Sequence, residues 1–324
     1  MDIEIPGIHH VTAITGDASG NATFYTQTLG LRLVKKTVNQ DDVGAYHLFY
    51  GDEIGTPGTE LTFFDWPHSS TNLPGAATIG PVALRVGGAG ALEWWAARFD
   101  ELGVARQEIA DRRGRAALRF TDPEGQRLEL VDDGDQPGGR PWRVVPAELS
   151  IKGVHGVTVT SAHPESTVAL LTRVLGFRQV DAFDLAGDSG SVAVFEVGPG
   201  GPGTEVRVLT PPEGGVGFPG IGGVHHVAFR TPDIEQQQEW QERLARTGIG
   251  VTPLIDRYYF SSIYFNEPGG ALFEIATDGP GFATDEPEAE MGQRLALPPA
   301  LEPQRARIEA DLQPITIGLP ARSA

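Results

Sequence analysis

A doubled histidine occurs at two places in the sequence, 216 residues apart. It stands in GIHHVTAIT as His9-His10 and in GVHHVAFRT as His225-His226. A carboxylate, Glu274, follows the second pair in the apolar segment LFEIATDG. Neutral imidazole and carboxylate bind divalent iron, manganese or zinc. Two histidines and one carboxylate on one face, with open positions beside them, are typical of non-heme Fe(II) oxygenase centres. The sequence therefore predicts a metal centre, provided that the fold brings these residues together.

The sequence repeats itself at an offset of about 145 residues. PGTELTFF (from Pro57) matches PGTEVRVL (from Pro202), and FTDPEGQRLELVDDG (from Phe120) matches FNEPGGALFEIATDG (from Phe265). Each half divides again into two units of about 60 residues. Each unit opens with a strand, continues with a helix that ends at a glycine, and closes with further strands. Because repeats determine architecture, the chain is predicted to contain four tandem βαβββ units and to have an α+β fold.

The repeat also suggests domain boundaries. We predict a first domain over residues 1–146 and a second over residues 147–282, each made of two units, with Gly/Pro-rich joints between the units. Residues 283–324 form a Pro/Glu-rich tail, in which a short amphipathic helix is predicted near Leu301 to Leu312.

Several segments resemble the vicinal oxygen chelate superfamily, which includes glyoxalases, extradiol dioxygenases and fosfomycin-resistance enzymes. GIHHVTAITGD and DRYYFSSIYFNEPGGALFEIATDGPGF are the most specific, and they resemble the hydroquinone-type ring-cleaving dioxygenases. The resemblance covers nearly the whole chain. It implies the glyoxalase/bleomycin-resistance/extradiol dioxygenase fold, in which four tandem βαβββ modules form two curved-sheet barrels.

The repeat helps to choose the ligand from each histidine pair, because neighbouring strand residues point to opposite faces. In the third unit the pair reads His155-Gly156, so the first histidine is kept and the second is lost. If the first unit pairs with the fourth, one site contains His10, His226 and Glu274. In the resembled dioxygenases the metal ligands occupy these same motif positions.

The other two units offer a poorer set of residues. Pairing of the second unit with the third brings together Gly156, Pro81 and Glu129, which cannot bind a metal tightly. The sequence therefore predicts one metal site per chain, between the first and fourth units. Glu129 stands in an apolar strand and is predicted to need another partner, such as an arginine.

The resemblance also assigns residues near the metal. It places His9 and His225 beside the ligands as hydrogen-bond donors or acid/base groups, and packing between sheet and helix is the alternative. It places Tyr264 and Arg257 along the substrate pocket and gives Thr12 a supporting role. Internal comparison separates two of these residues, because an arginine also stands at the position of Arg257 in the other half, whereas tyrosine at the position of Tyr264 does not repeat.

Composition excludes several classes of function. The net charge is −18, from 25 basic and 43 acidic residues, and such a surface repels nucleic acid and anionic membranes. No apolar run is long enough for a membrane span, and the N-terminus has no secretory pattern, so a cytoplasmic location is expected. Cysteine is absent, which excludes disulfides and thiolate sites. The remaining histidines, His47, His68 and His163, have no partner at metal-ligand spacing and are predicted to lie on the surface or in loops.

These observations lead to a functional hypothesis and two alternatives. The hypothesis is an Fe(II)-dependent extradiol-type dioxygenase, with Mn(II) as another metal, that opens hydroquinone or a related dihydroxylated aromatic compound with O₂. One alternative is a metal-dependent isomerase or transferase of the glyoxalase type, which would use a further carboxylate ligand. The other is a metal-free protein that binds small molecules. The sequence leaves open whether the chain forms a homo-oligomer.

Overall fold

The computed structural model describes residues 3–134, 136–185, 189–211 and 215–318, and these form four βαβββ units. The first unit contains helix α1 (Ala18–Thr23), which continues as a π-helical segment over Phe24–Thr28. Its strands are β1 (Ile8–Thr15), β2 (Arg32–Asn39), β3 (Asp42–Gly51) and β4 (Glu60–Asp65). The second unit contains β5 (Thr78–Val86), α2 (Ala89–Glu101), β6 (Ala110–Asp111), β7 (Ala116–Thr121) and β8 (Arg127–Asp132).

The third and fourth units repeat this order. The third contains β9 (Val154–Thr160), α3 (Pro164–Ala169), β10 (Arg178–Asp184), β11 (Ser191–Glu196) and β12 (Glu205–Thr210). The fourth contains β13 (Gly223–Thr231), α4 (Ile234–Arg246), β14 (Ile255–Asp256), β15 (Ser261–Asn266) and β16 (Leu272–Thr277). The tail carries helix α5 (Arg305–Asp311), within the predicted range.

The strands form two eight-stranded sheets, and each sheet takes one unit from each half of the sequence. The first sheet has the order β14-β15-β16-β13-β1-β4-β3-β2, and the second has the order β10-β11-β12-β9-β5-β8-β7-β6. The antiparallel pairs β1–β13 and β5–β9 join the units. The prediction of four βαβββ modules in two curved sheets is confirmed, as is the pairing of the first unit with the fourth. The division at residues 146 and 282 stays a prediction.

Helices cover the outer faces of the sheets and hold the strands in place. Trp95 of α2 and Trp240 of α4 are fully buried. Helix α4 begins at Asp233, whose carboxylate accepts a hydrogen bond from the Gln236 amide, as expected of an N-cap. One turn further on, the buried Gln237 amide donates to the carbonyl oxygens of β15 and β16 at 2.7 and 2.8 Å. The helix therefore fixes the two strands that carry the fourth unit's polar side chains.

The C-terminal tail packs against the first sheet. Lys35 on β2 is completely buried and pairs with Asp285 at 2.7 Å and with Glu286. Ile308 of α5 and Leu312 are also buried. The tail therefore packs onto the first sheet, held there by these buried contacts. Within the described ranges, no helix has the length and apolar character that crossing a membrane would require.

Candidate metal centre

The first sheet brings the three predicted ligands together. Strands β1 and β13 run antiparallel, with Thr12 opposite His226 and His10 opposite Ala228. Strand β16 runs parallel to β13 and sets Glu274 beside Ala228. Paired residues on neighbouring strands point to the same face, as do residues two positions apart on one strand. His10, His226 and Glu274 therefore converge on one face, where β1, β13 and β16 meet.

The distances within this group fit a single bound cation. His10 Nε2 lies 3.4 Å from Glu274 Oε2 and 3.4 Å from His226 Nε2. His226 Nε2 lies 2.9 Å from the same Glu274 oxygen. Metal–ligand bonds of about 2.1 Å, at angles of roughly 90 to 110°, place two ligand atoms about 3 to 3.4 Å apart. The three observed separations match this spacing.

The electrostatics of the group also suit a cation. All three side chains are buried, and Glu274 has no exposed surface. Burial acts to raise the pKa of Glu274, but His10 and His226 beside it hold that pKa well below its usual range. Burial lowers the pKa of His226. The group therefore holds a buried carboxylate, and a buried charge of this kind needs a compensating partner.

His9 explains why His10 would present the correct nitrogen to a metal. His9 Nε2 donates to the carbonyl oxygen of Thr277 at 3.2 Å. Burial lowers the pKa of His9 to about 3, so its ring is neutral and Nδ1 carries a lone pair. This Nδ1 lies 2.9 Å from Nδ1 of His10 and accepts the proton that His10 carries there. The lone pair of His10 is then at Nε2, which faces Glu274.

His225 stands in the same relation to His226. The two Nδ1 atoms lie 2.8 Å apart, and burial lowers the pKa of His225 to about 3. If the neutral His225 accepts a hydrogen bond from Nδ1–H of His226, the lone pair of His226 is at Nε2, which faces Glu274. Partners of this kind orient metal-binding histidines in many proteins. The first histidine of each pair thus contacts the Nδ1 atom of the second, on the side away from Glu274. Neither His9 nor His225 lines the cavity beside the predicted ligands.

Tyr264 and Arg257 lie on the opposite side of the ligand group, as the resemblance implies. Tyr264 pairs with Glu274 across β15 and β16, and its ring centre is 5.7 Å from that of His226. Burial raises the pKa of Tyr264, so its hydroxyl keeps its proton. Arg257 Nε donates to this hydroxyl oxygen at 3.4 Å, and its Nη2 donates to Asp41 at 2.8 Å. Both residues line the cavity beside the ligands.

Two hydroxyl residues that sequence reasoning did not assign also belong to this region. Ser262 Oγ donates to Glu274 Oε1 at 2.5 Å, which leaves the other carboxylate oxygen toward the imidazoles. Ser262 stands two residues before Tyr264 on β15, so strand alternation alone would have placed it on the same face. Thr62 stands beside Thr12 in the first unit, at the position that Glu274 occupies beside Ala228 in the fourth.

The prediction for His47 was wrong. His47 lies on β3 and lines the cavity, and its Nε2 is 3.0 Å from Thr62 Oγ1. Thr62 in turn lies 2.8 Å from Thr12 Oγ1, so the supporting role expected of Thr12 would act through this chain of hydroxyls. Spacing along the sequence could not reveal His47, because its partners come from another strand. His68 and His163 are exposed, as predicted.

Glu60 is a second buried carboxylate near the ligands. It pairs with His10 across β1 and β4, and its Oε2 lies 3.5 Å from His9 Nδ1. Burial raises the pKa of Glu60 well above its usual value. Neither of its oxygens has a hydrogen-bond partner among the described residues. His9, His10 and Glu60 form a second group with ligand-like spacing, but this group uses the Nδ1 side of the histidine rings.

The cavity beside the ligands is narrow, at about 30 Å³, which is room for about two waters. Aromatic rings supply much of its wall: His47, Phe49, Phe64, Tyr259, Phe260 and Tyr264. The turn between β2 and β3 covers one side, because Gln40 donates to the Arg257 carbonyl at 2.7 Å and Asp41 pairs with the same arginine. An aromatic ring would therefore enter only when this turn or the arginine moves.

The equivalent position in the second sheet holds no comparable group. Pro81 and Gly156 replace the two histidines there, and a Cβ atom on Gly156 would lie 2.6 Å from the Glu205 carbonyl oxygen. Glu129 accepts hydrogen bonds from Arg112 and Arg119, each at 2.7 Å, so the arginine partner expected for Glu129 is confirmed. Among the residues that the structure describes, the second sheet contributes no group with metal-ligand spacing.

Comparison with known proteins places these features in a family. The model of the glyoxalase/bleomycin resistance protein/dioxygenase superfamily matches residues 7–130 and 153–275. MhqA of Bacillus subtilis, whose name assigns it provisionally as a ring-cleaving dioxygenase, is 45% identical over 97% of this chain and 100% of its own. Chlorohydroquinone/hydroquinone 1,2-dioxygenase of Sphingobium indicum is 32% identical over 92% of this chain and 93% of its own.

Solved structures agree with the fold. A protein from Bacillus subtilis, named provisionally as a dioxygenase, superimposes with a TM-score of 0.89 at 39% identity, over 98% of this chain and 99% of that one. Glyoxalase I from Zea mays superimposes with a TM-score of 0.63 over 84% of this chain and 92% of its own. Its identity is 15%, so it supports the fold alone.

Proposed function

The chain belongs to the glyoxalase/bleomycin resistance protein/dioxygenase superfamily, and we propose that it is an Fe(II)-dependent extradiol-type dioxygenase that opens a hydroquinone ring with O₂. The protein is an enzyme of the oxygenase class, because relatives at 32% and 45% identity over nearly their full lengths carry that class in their names. The finer proposal concerns the metal, the type of cleavage and the substrate.

One observation carries the proposal: the convergence of His10, His226 and Glu274 at separations that suit a single ion. Two neutral imidazoles and one carboxylate are the ligand set that suits Fe(II) when other positions must stay open, and manganese is the alternative metal. Bound there, iron would act as a Lewis acid and would hold the phenol oxygen and O₂ together.

The surrounding side chains would each perform a separate task. His9 and His225 keep protons on the far nitrogens of the ligand histidines, so that the near nitrogens stay free. The Tyr264 hydroxyl remains protonated and can donate a hydrogen bond to a substrate oxygen whose charge increases during the reaction. Arg257 donates to the Tyr264 oxygen, which turns the hydroxyl proton away from the guanidinium. The aromatic walls exclude water and suit the faces of a flat ring.

The glyoxalase-type alternative has less support. It would use a second carboxylate at the position that corresponds to Glu274, and that position holds Thr62. Glu60 lies near, but it faces the Nδ1 side of His9 and His10 rather than the Nε2 atoms of the ligand group. A metal-free binding role is disfavoured because an unbalanced carboxylate at Glu274 would then remain buried.

The proposal is tested on protein purified without oxygen and loaded with Fe(II). We expect about one iron per chain, together with O₂ uptake and a ring-opened acid when hydroquinone is added without NADH, flavin or thiol. Catechol serves as the comparison substrate. It offers two adjacent oxygens, whereas hydroquinone would bind through one. Faster turnover of catechol would overturn the hydroquinone assignment.

Glu274→Ala and Glu129→Ala form a matched pair, because the two glutamates occupy equivalent strands in the two sheets. Glu274→Ala should lose its iron, whereas Glu129→Ala should keep it. Stoichiometric iron in Glu274→Ala would contradict the site. Conversion of a thiol hemiacetal without O₂ uptake, by the iron-loaded protein, would replace the dioxygenase proposal with the glyoxalase-type alternative.

A further inference from the structure

The second sheet contains a cavity at the position where the first sheet holds the metal ligands. Its volume is about 470 Å³, which lies within the range of small-molecule sites. Glu129 and Pro81 line it at the positions of Glu274 and His226 in the first sheet. Neither the metal centre nor the proposed reaction uses this cavity.

Arginine side chains dominate the charge of the cavity. Arg112, Arg119 and Arg207 surround Glu129 and Glu205, so these five groups carry a net charge of +1. Arg127 also lines the cavity and donates to the Gly80 carbonyl oxygen at 3.2 Å, and it pairs with no carboxylate in the part of the chain that the structure describes, which brings the local charge to +2. The whole chain carries −18, so a local concentration of positive charge around a cavity is contrary to its composition. Such a field attracts anions into a cleft.

Two of these arginines pair with a carboxylate through Nε alone. Arg119 pairs with Glu129 through Nε at 2.7 Å, and Arg207 pairs with Glu205 through Nε at 2.9 Å. Within the described ranges, the terminal nitrogens of Arg119 and Arg207 donate to no protein acceptor. Both side chains line the cavity, and the Arg207 side chain is 10% exposed. Planar guanidinium groups with free N–H pairs match the two oxygens of a carboxylate.

Apolar side chains supply much of the remaining wall, beside the polar Gln107, Thr121 and Thr158 and the charged Arg106. The apolar side chains are those of Phe120, Leu128, Leu185, Val192 and Leu209. An inorganic anion would satisfy the arginines but would leave these side chains in contact with water. An organic anion would cover both kinds of surface, since its carboxylate would meet the guanidinium groups and its body would displace water from the apolar walls.

We propose that this cavity is a second binding site, specific for a small organic carboxylate with a ring-sized apolar body. The site is separate from the metal centre, because it lies in the other sheet and its residues come from the second and third units. Arg119 and Arg207 would bind the carboxylate, and the side chains of β7, β8 and β12 would cover the ring. The second sheet would thus hold a pocket with arginines around it at the position where the first sheet holds the predicted metal ligands.

The test is calorimetric titration of the iron-loaded full chain with benzoate. Benzamide, which has nearly the same shape and no charge, and inorganic phosphate are titrated in parallel. We expect benzoate to bind at least tenfold more tightly than either. Arg119→Gln and Arg207→Gln should each weaken benzoate binding at least tenfold, because each removes a charged donor. Arg119 is 56% exposed, so its replacement should leave folding intact even if the Arg207 variant is unstable.

Arg178→Gln is the matched control, because Arg178 lies on the same sheet, is similarly exposed and pairs with Glu196, but does not line the cavity. Its benzoate affinity should equal that of the unmodified chain. A crystal soaked with 4-bromobenzoate should show bromine in the second sheet. The proposal is overturned if benzoate does not bind at about 10 mM, if the Arg119 and Arg178 variants behave alike, if phosphate binds equally well, or if bromine occupies only the metal centre.

Discussion

Replacing His9 by phenylalanine tests whether the doubled histidines orient the metal ligands. Phenylalanine keeps the ring and the burial but removes Nδ1, the acceptor that lies 2.9 Å from His10 Nδ1. His10 would then have no fixed proton position, and its ring could present either nitrogen to Glu274. Removal of such a partner typically lowers metal affinity 10- to 100-fold, which corresponds to about 1.4 to 2.7 kcal/mol. We therefore expect iron affinity in His9→Phe to fall by that factor.

The chain provides its own control for this experiment. His155 occupies the same repeat position on β9 and is equally buried, but it is followed by Gly156 and has no ligand histidine to orient. His155→Phe should therefore leave iron affinity unchanged. Anaerobic titration with Fe(II), in competition with a chromophoric chelator, measures both variants, and thermal unfolding shows whether either has lost stability. Equal iron affinity in His9→Phe and the unmodified chain would refute the assignment, as would equal losses in the two variants.

Three further changes test the cavity and the charged network. Tyr264→Phe should lower kcat on the order of 10²-fold while iron stays bound, because one donor to the developing charge is lost; unchanged kcat in steady-state assays would contradict this role. Asp41→Asn should raise the rate of substrate binding by less than about fivefold in stopped-flow measurements, since the Asp41 side chain is 71% exposed and its pair with Arg257 is worth at most about 1 kcal/mol; slower binding would show that the turn does not gate entry. Burial acts to raise the pKa of Glu129, but Arg112 and Arg119 outweigh burial and lower that pKa. The ionised Glu129 and its two arginines therefore stabilise the fold above about pH 4.5, and this stabilisation is lost as the pH falls. The unfolding free energy of the unmodified chain should therefore fall more steeply than that of Glu129→Gln as the pH is lowered below about 4.5, as followed by denaturant titration.

Internal repetition is what made the ligand group predictable. A histidine on a strand carries little information alone, but the loss of the second histidine at Gly156 and Pro81 left only one complete combination. That combination requires the first unit to pair with the fourth, and β1 does pair with β13. Strand alternation allowed only one histidine of each pair on a given face, and the repeat, which keeps His155 but has Gly156 at the second position, favoured His10 over His9. The sequence pattern was sufficient to place these residues together because the pairing of the strands determines which residues share a face.

Contacts between side chains of different strands were beyond the reach of the same reasoning. His47 was predicted to be a surface residue, since nothing near it in the sequence is a ligand, yet the third strand of the first unit carries it to Thr62. Strand alternation could have placed Ser262 on the face of Tyr264, but it could not show that the Ser262 hydroxyl donates to Glu274. These residues act through hydrogen bonds that depend on side-chain rotamers and on the curvature of the sheet, and a repeat alignment contains neither.

The second sheet shows how the same backbone can support different chemistry. The sequence indicated only that histidines were missing, which is compatible with simple decay of a metal site. The structure shows a reorganised pocket: the backbone beside Gly156 approaches the Glu205 carbonyl too closely for any side chain, and Glu129 holds two arginines in place of an ion. Restoring one histidine would therefore not restore a metal site, because the neighbouring strand occupies the space and the carboxylate is already neutralised. Of the two carboxylates beside the pocket, only Glu129 stands at the position of Glu274, and Arg112 and Arg119 balance its charge where a cation would balance that of Glu274.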